Sequence, residues 1–227
     1  MSRKVKNMRV LSEQPNKKSY QDGNLRLKVF GASFKKSDIL NEALNQARVE
    51  ETGLQIPKLL EVKQIDGQWT IVTEFIEGET LESLMAAHPE KMTEYLEQFV
   101  ALQSEILSKR APLLNRLKDK MNRKIRESGL DATTRYELHM RLNGMREHEK
   151  VCHGDFNPSN VIVTPNGDWY VIDWSHVTQG NASADAARTY LLFCLNGKED
   201  VAEQYLQIFC EKNDIAKQYV RSWMPIV

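Results

Sequence analysis

The sequence predicts an α+β chain in two lobes, a small antiparallel sheet with one helix followed by a mainly helical part that carries a short hairpin. Three observations predict it. Asp22-Gly23, Asp66-Gly67 and Asn166-Gly167 punctuate strand-like runs, and such pairs favour the φ > 0 conformations of tight hairpin turns. Beyond EFIEGETL the apolar period becomes that of helices. The third pair then interrupts the helical part with two short apolar strands. The expected division is 1–77 and 78–227.

The elements follow in order. In LRLKVF (25–30), Leu25, Leu27 and Val29 alternate with Arg26, Lys28 and Phe30, so Lys28 lies on the face opposite the leucines. Ser37 is a plausible N-cap for DILNEALNQARVEE, in which Leu40, Ala43, Leu44 and Ala47 make the expected apolar stripe and Gly53 ends the helix. KLLEVKQ and QWTIVTEFI flank the second turn and complete the sheet. Gly78 then relaxes the joint to the helical part, and a crevice between lobes is a favoured ligand site. Met92, Tyr95, Leu96, Phe99, Leu102 and Ile106 recur at helical spacing, as do Leu114, Leu117, Met121 and Ile125.

Bulk properties exclude several classes. Thirty-one basic residues balance thirty-one acidic ones, so no net field draws the 227-residue chain to nucleic acid or an anionic membrane. No apolar run spans a bilayer and MSRKVKNMRV lacks a signal peptide's apolar core, which points to the cytoplasm. Cys152, Cys194 and Cys210 are too dispersed for a disulfide framework or a paired zinc site and read as buried thiols.

The chemistry concentrates in VCHGDFNPSNVIVTPNGDWYVIDW (151–174). VIV and WYVI pair across the TPNGD turn, placing Asn160 before the first strand and Asp173 after the second, at the same open end. An amide oxygen and a carboxylate are hard ligands suited to Mg²⁺, and Asp155 could accept a proton from a hydroxyl.

HGDFNPSN followed by VIDW resembles the catalytic and metal-binding loops of the aminoglycoside phosphotransferase and choline kinase family, relatives of the protein kinases. The protein-kinase catalytic loop places an Asn five residues after its Asp, the spacing of Asp155 and Asn160. The resemblance implies a protein-kinase-like two-lobed fold, ATP and Mg²⁺ as cofactors, and a small-molecule hydroxyl acceptor. It implies Asp155 as the catalytic base, Asn160 and Asp173 as metal ligands, and Lys28 as the phosphate lysine paired with Glu42. It also implies that VTEFIEGETL meets adenine through the Glu74 carbonyl and the Ile76 amide. Asp185 and Arg188 in GNASADAARTYLLF would support the site structurally.

The chain departs from the family's pattern in places. EQPNKKS stands where protein kinases have a glycine-rich loop, leaving Lys17, Lys18 and Ser19 as weak phosphate candidates, and Asn157 and Ser159 replace an expected His and Gly. His153 reads as a brace of the catalytic loop. KDKMNRKIR (118–126) reads as a helix with a solvated basic face, and Trp174, Tyr205 and Trp223 as packing residues. A pseudokinase scaffold is the alternative, suggested by the glycine-free loop and the 54 residues after Asp173. A metal phosphoesterase built on His153, Asp155 and Asp173 ranks below it. The acceptor stays open among antibiotic, choline-like amine, sugar and amino alcohol; Glu199, Asp200 and Glu203 could serve a cationic one.

Overall fold

Each of the three turns forms where its glycine allows it. In the computed structural model, which describes residues 8–227, Gly23, Gly67 and Gly167 all have positive φ, and Asp66 shares the left-handed region with Gly67. The strands they join are β2 (Lys17–Asp22) with β3 (Leu25–Phe30), β4 (Leu59–Ile65) with β5 (Gln68–Glu74), and β8 (Val161–Val163) with β9 (Trp169–Val171). All three pairs are antiparallel. A further strand, β1 (Arg9–Gln14), makes a hairpin with β2 through Pro15-Asn16, so EQPNKKS is two strand ends and a turn rather than an open loop.

By contact density the chain divides into two units. The first takes the chain up to Thr80 together with Val161–Ser175, and the second comprises Leu81–Asn160 and His176–Val227. The β8–β9 hairpin, assigned to the C-terminal lobe from sequence, therefore makes its contacts in the first unit. There β6 (Glu79–Thr80) pairs with β8.

The first unit is built on a five-stranded sheet in the order β1-β2-β3-β5-β4, with α1 (Lys36–Glu50) across it. Its buried face differs from the expected stripe. Ile39, Ala43, Asn45 and Val49 are buried, while Leu40 and Leu44 are 40% and 47% exposed. Ile39, Ala43 and Phe30 pack with Ile71, and Leu59, Val62 and Trp69 close over them. Both stripes satisfy the helical period; the sheet selects the one whose β-branched residues fit its pleat. Glu42, at i+3 from Ile39, is carried to the sheet side. Ser37 is not the cap either, because the helix starts at Lys36 after Lys35 and has no side-chain cap.

The second unit is helical: α2 (Leu81–Ala87), α3 (Met92–Ser108), α4 (Leu117–Glu127), α5 (Ala132–Gly144), α6 (Ala182–Leu195), α7 (Glu199–Asn213) and α8 (Lys217–Arg221). A two-stranded ribbon joins β7 (Lys150–Cys152) to β10 (Thr178–Gly180). Leu96, Phe99, Val100 and Ile106 of α3 are fully buried, as are Tyr205, Leu206 and Phe209 of α7. Leu114, Leu117, Met121 and Ile125 are all buried as expected, and so are Trp174 and Trp223. Cys152 and Cys210 are buried thiols, whereas Cys194 is half-buried.

The choice of helix face is testable. Ile39→Ala should cost about 2–5 kcal/mol and lower the urea midpoint clearly. Leu40→Ala should cost less than about 1 kcal/mol. Equal losses in the two variants would reject the assigned face.

Candidate active site

Lys28 is the centre of the charged cluster in the first unit. It is 6% exposed, on the middle of β3 between Ser19 and Ile71. Its ammonium donates to Glu42 of α1 and, at 3.0 Å, to Asp173 Oδ1, and it lies 5.8 Å from the Phe30 ring centroid. A buried ammonium needs such partners, because desolvation alone would drive off its charge. Lys17, on β2, places its Nζ 3.9 Å from the other oxygen of Asp173. Burial, then the neighbouring Lys28 charge, push the Lys17 pKa down.

Asp173 follows β9 in the left-handed region, φ 62°, where Asp is tolerated better than most residues. Burial by itself would raise its pKa. Lys28 and Lys17 outweigh that, with a hydrogen bond from Ser175, and hold the carboxyl well below the ordinary range. Lys18 pairs instead with exposed Glu13, and Ser19 is buried and accepts from Arg26, so of the three candidates in EQPNKKS it is Lys17 that joins the cluster.

Glu74 ends β5. Its amide donates to the Lys58 carbonyl at 3.0 Å, and its own carbonyl accepts from the Thr73 hydroxyl at 3.2 Å. Ile76 lies beyond the strand, half-buried, and its amide has no hydrogen-bond partner among the described residues.

The second unit holds Asp155 and Asn160. Gly154 has φ 80°, and a Cβ there would meet the His176 carbonyl oxygen at 2.5 Å, so glycine is required twice over. The Gly154 amide donates to Asp185 Oδ1 at 2.7 Å. The Asp155 amide donates to His153 Nδ1 at 3.3 Å, with the imidazole fully buried. Asn160 reaches back: its Nδ2 donates to the Asp155 carbonyl at 2.9 Å and to Asp155 Oδ2 at 3.2 Å. Asn157 Nδ2 also donates to the Asp155 carbonyl, and its Oδ1 accepts from Ser159, so these two departures from the family pattern brace the loop.

Behind the loop is a buried polar network. Asp185, 3% exposed, accepts from Gly154 with one oxygen and from Gln103 Nε2 at 3.1 Å with the other. Gln103 also donates to Thr189, which donates to the Phe156 carbonyl at 2.8 Å, and Gln103 accepts from Tyr205. Phe156 stacks on Phe99 at 4.3 Å. Tyr205 is thus a buried hydroxyl donor as well as a packing residue. Gln103 and Thr189 escaped the sequence reading, although a Gln at a core position of the α3 stripe is itself a signal. Arg188 NH2 lies 4.0 Å from Asp155 Oδ1.

Other candidates do not gather. Glu203 is engaged by Arg221 at 2.8 Å and by the Tyr190 hydroxyl at 2.7 Å. Among the described residues, no three His, Cys, Asp or Glu side chains converge as a metal site, and no helix is long and apolar enough to cross a membrane. Each unit keeps one hard oxygen donor: the ionised Asp173 carboxylate in the first, and in the second Asn160 Oδ1, whose amide nitrogen is already committed to Asp155.

A model of the phosphotransferase enzyme family matches residues 18–221. The chain belongs to that family. No curated protein matches it, but solved structures do, at identities that establish the kinase-like α+β fold. An aminoglycoside-3'-phosphotransferase of type VIII aligns with TM-score 0.72 and 16% identity over 97% of this chain and 92% of its own. A thermostable mutant of aminoglycoside phosphotransferase APH(4)-Ia, solved with ADP and hygromycin B, gives 0.69 and 19% over 96% and 83%. A choline/ethanolamine kinase family protein from Mesorhizobium loti gives 0.60 and 16% over 91% and 70%.

The charge cluster makes a prediction about acid. With its folded pKa depressed, Asp173 contributes stability above the ordinary carboxylate range of about 3.9, and that contribution fades as pH falls toward the folded value. Lys28→Met removes the main opposition to burial, so the Asp173 carboxyl should titrate higher, within or above the ordinary range, in a ¹³C carboxyl NMR titration. An unmoved resonance would show that Lys28 does not control Asp173.

Proposed function

We propose that the chain is an ATP-dependent kinase that phosphorylates a hydroxyl of a small molecule. The observation that carries the reading is the Lys28 ammonium held between Glu42 and Asp173, the phosphate lysine and its partners in kinase chemistry. Family membership supports phosphoryl transfer, and the ADP and hygromycin B bound by the APH(4)-Ia protein support ATP with a small-molecule acceptor.

In this reading the Glu74 carbonyl and the free Ile76 amide bind adenine. Lys28, steadied by Glu42, holds the phosphates, and Lys17 takes the part that glycine amides play in protein kinases. Asp173 and Asn160 would hold Mg²⁺, which when bound neutralises phosphate charge. Asp155 orients the acceptor hydroxyl. The hydroxyl oxygen bonds to the γ-phosphorus, the bond from that phosphorus to the bridging oxygen of ADP breaks, and the hydroxyl proton passes to Asp155. The Asn160 amide and the His153 imidazole keep the Asp155 loop in place while charge moves. Catalysis rests on positioning and electrostatics, since phosphoryl transfer asks for little covalent chemistry from the protein.

Asp155→Asn should reduce turnover by about 10²-fold or more while leaving Mg·ATP affinity largely intact. Undiminished turnover would remove Asp155 from its role. Calorimetric titration of ATP into wild type and Asp173→Ala, each with and without Mg²⁺, addresses the nucleotide site. Metal-dependent binding lost in the variant is the expected outcome, and absence of binding to folded wild type would reject the kinase reading.

A further inference from the structure

Next to Asp155 the second unit is cationic. Arg188, the neighbour of Asp155, also lines a hollow of about 60 Å³ together with Lys120, Lys124, Gly154, His176 and Asp185. Asp185 is the only side-chain carboxylate among the described lining residues, and both of its oxygens are committed, to the Gly154 amide and to Gln103. Each oxygen thus already accepts one hydrogen bond, so the carboxylate is held in place and only partly available to an incoming ammonium group. Lys120 reaches in from α4, half-buried, and donates to the His176 carbonyl at 2.7 Å, which uses one of an ammonium's three donors.

We propose that Lys120 and Arg188, with Lys124, form a subsite for an anionic group of the phosphate acceptor, a carboxylate or a phosphate monoester on a molecule that also bears the reacting hydroxyl. The inference rests on the kinase reading and names its substrate class. The hollow has room for about four to six waters at 10–15 Å³ each, which suits a small oxyanion and not a sugar ring. An oxyanion would satisfy the two spare donors of Lys120 and the planar fork of Arg188. A polycationic aminoglycoside would instead bring ammonium groups against Lys120, Lys124 and Arg188, with the carboxylates of Asp185 and Asp155 only partly offsetting them. Burial, then the Lys124 charge, lower the Lys120 pKa to about 8, so the amine is still mainly charged at neutral pH but closer to losing its proton than an exposed lysine. A bound anion would hold the charge in place.

Two measurements test the subsite, and Mg·ATP calorimetry run beside them reports on the kinase reading alone. In the first, inorganic phosphate is titrated against protein with NMR-labelled lysine. The Lys120 midpoint should rise toward that of a free lysine, with a smaller rise in Arg188→Gln; an unmoved midpoint overturns the subsite. In the second, ADP release is followed with glycerate and gluconate for carboxylates, glycerol 3-phosphate for a phosphate ester, glycerol and glucose as neutral counterparts, and streptomycin and hygromycin B as cations. An anionic alcohol should stimulate release where its neutral counterpart does not, and the carboxylate and phosphate arms tell the two sources apart. Lys120→Met should then raise KM for that acceptor by about 10-fold with kcat changed less than about 2-fold, and Lys120→Arg should restore most of the loss. If Mg·ATP binds and release responds only to neutral or cationic compounds, or to none of the anionic ones, the inference fails and the kinase reading stands. If Mg·ATP does not bind, the kinase reading falls and the inference with it.

Discussion

Much of the first unit is organised around one buried ammonium. Lys28 is taken from water on a central strand, and a charge in that position is tolerable only if carboxylates meet it. Glu42 arrives on a helix and Asp173 after a hairpin far along the chain. The pairing therefore couples sheet, helix and hairpin through a single atom. Such a cluster is weak evidence for stability, because an apolar replacement could hold these elements as well. What the charges fix is the meeting point of β3, α1 and the end of the β8–β9 hairpin.

The second unit solves a related problem without a buried cation. Asp185 is a nearly inaccessible carboxylate whose two oxygens meet one backbone amide and one side-chain amide. The amide it fixes belongs to Gly154, directly before Asp155. Because Gly154 is left-handed and has no room for a Cβ, the loop has little freedom to adopt another path. The network continues through Gln103, Thr189 and Tyr205 into the packed faces of α3, α6 and α7. The position of Asp155 is thereby tied to the helical core rather than to a surface loop, which is what preorganised chemistry requires.

What the sequence made legible follows from how local each signal is. The hairpin turns were readable because φ > 0 is demanded at single residues. The Asp155 to Asn160 spacing was readable because both residues serve one short loop, and the Asn160 amide closes that loop on the Asp155 carbonyl and carboxylate. The face of α1 was not, since Leu40 with Leu44 and Ile39 with Val49 obey the same period and differ only in what packs on them. With the Ile39 face against the sheet, Glu42 is carried to Lys28, the pairing that the resemblance implies. The placement of Lys120 was equally hidden. On α4 it falls at the edge of the Leu117, Met121 and Ile125 stripe, and its ammonium meets a carbonyl 56 residues away.

The glycine-free hairpin gains a physical account from the same logic. A glycine-rich loop offers phosphate its backbone amides, at the cost of ordering a flexible segment. Here Pro15 and Asn16 make a turn whose Asn16 carbonyl accepts from the Gly31 amide at 2.8 Å, and a Cβ on Gly31 would already press that oxygen at 3.1 Å. The turn is docked to its own sheet, so its amides are less free to wrap a ligand. Lys17 follows immediately on β2, and its ammonium is the one that turns toward Asp173. Its pKa is lowered by burial and by Lys28, against the pull of Asp173 and Glu42. In the proposed kinase reading, a fixed lysine at that position supplies to a phosphate chain the positive charge that mobile amides supply elsewhere.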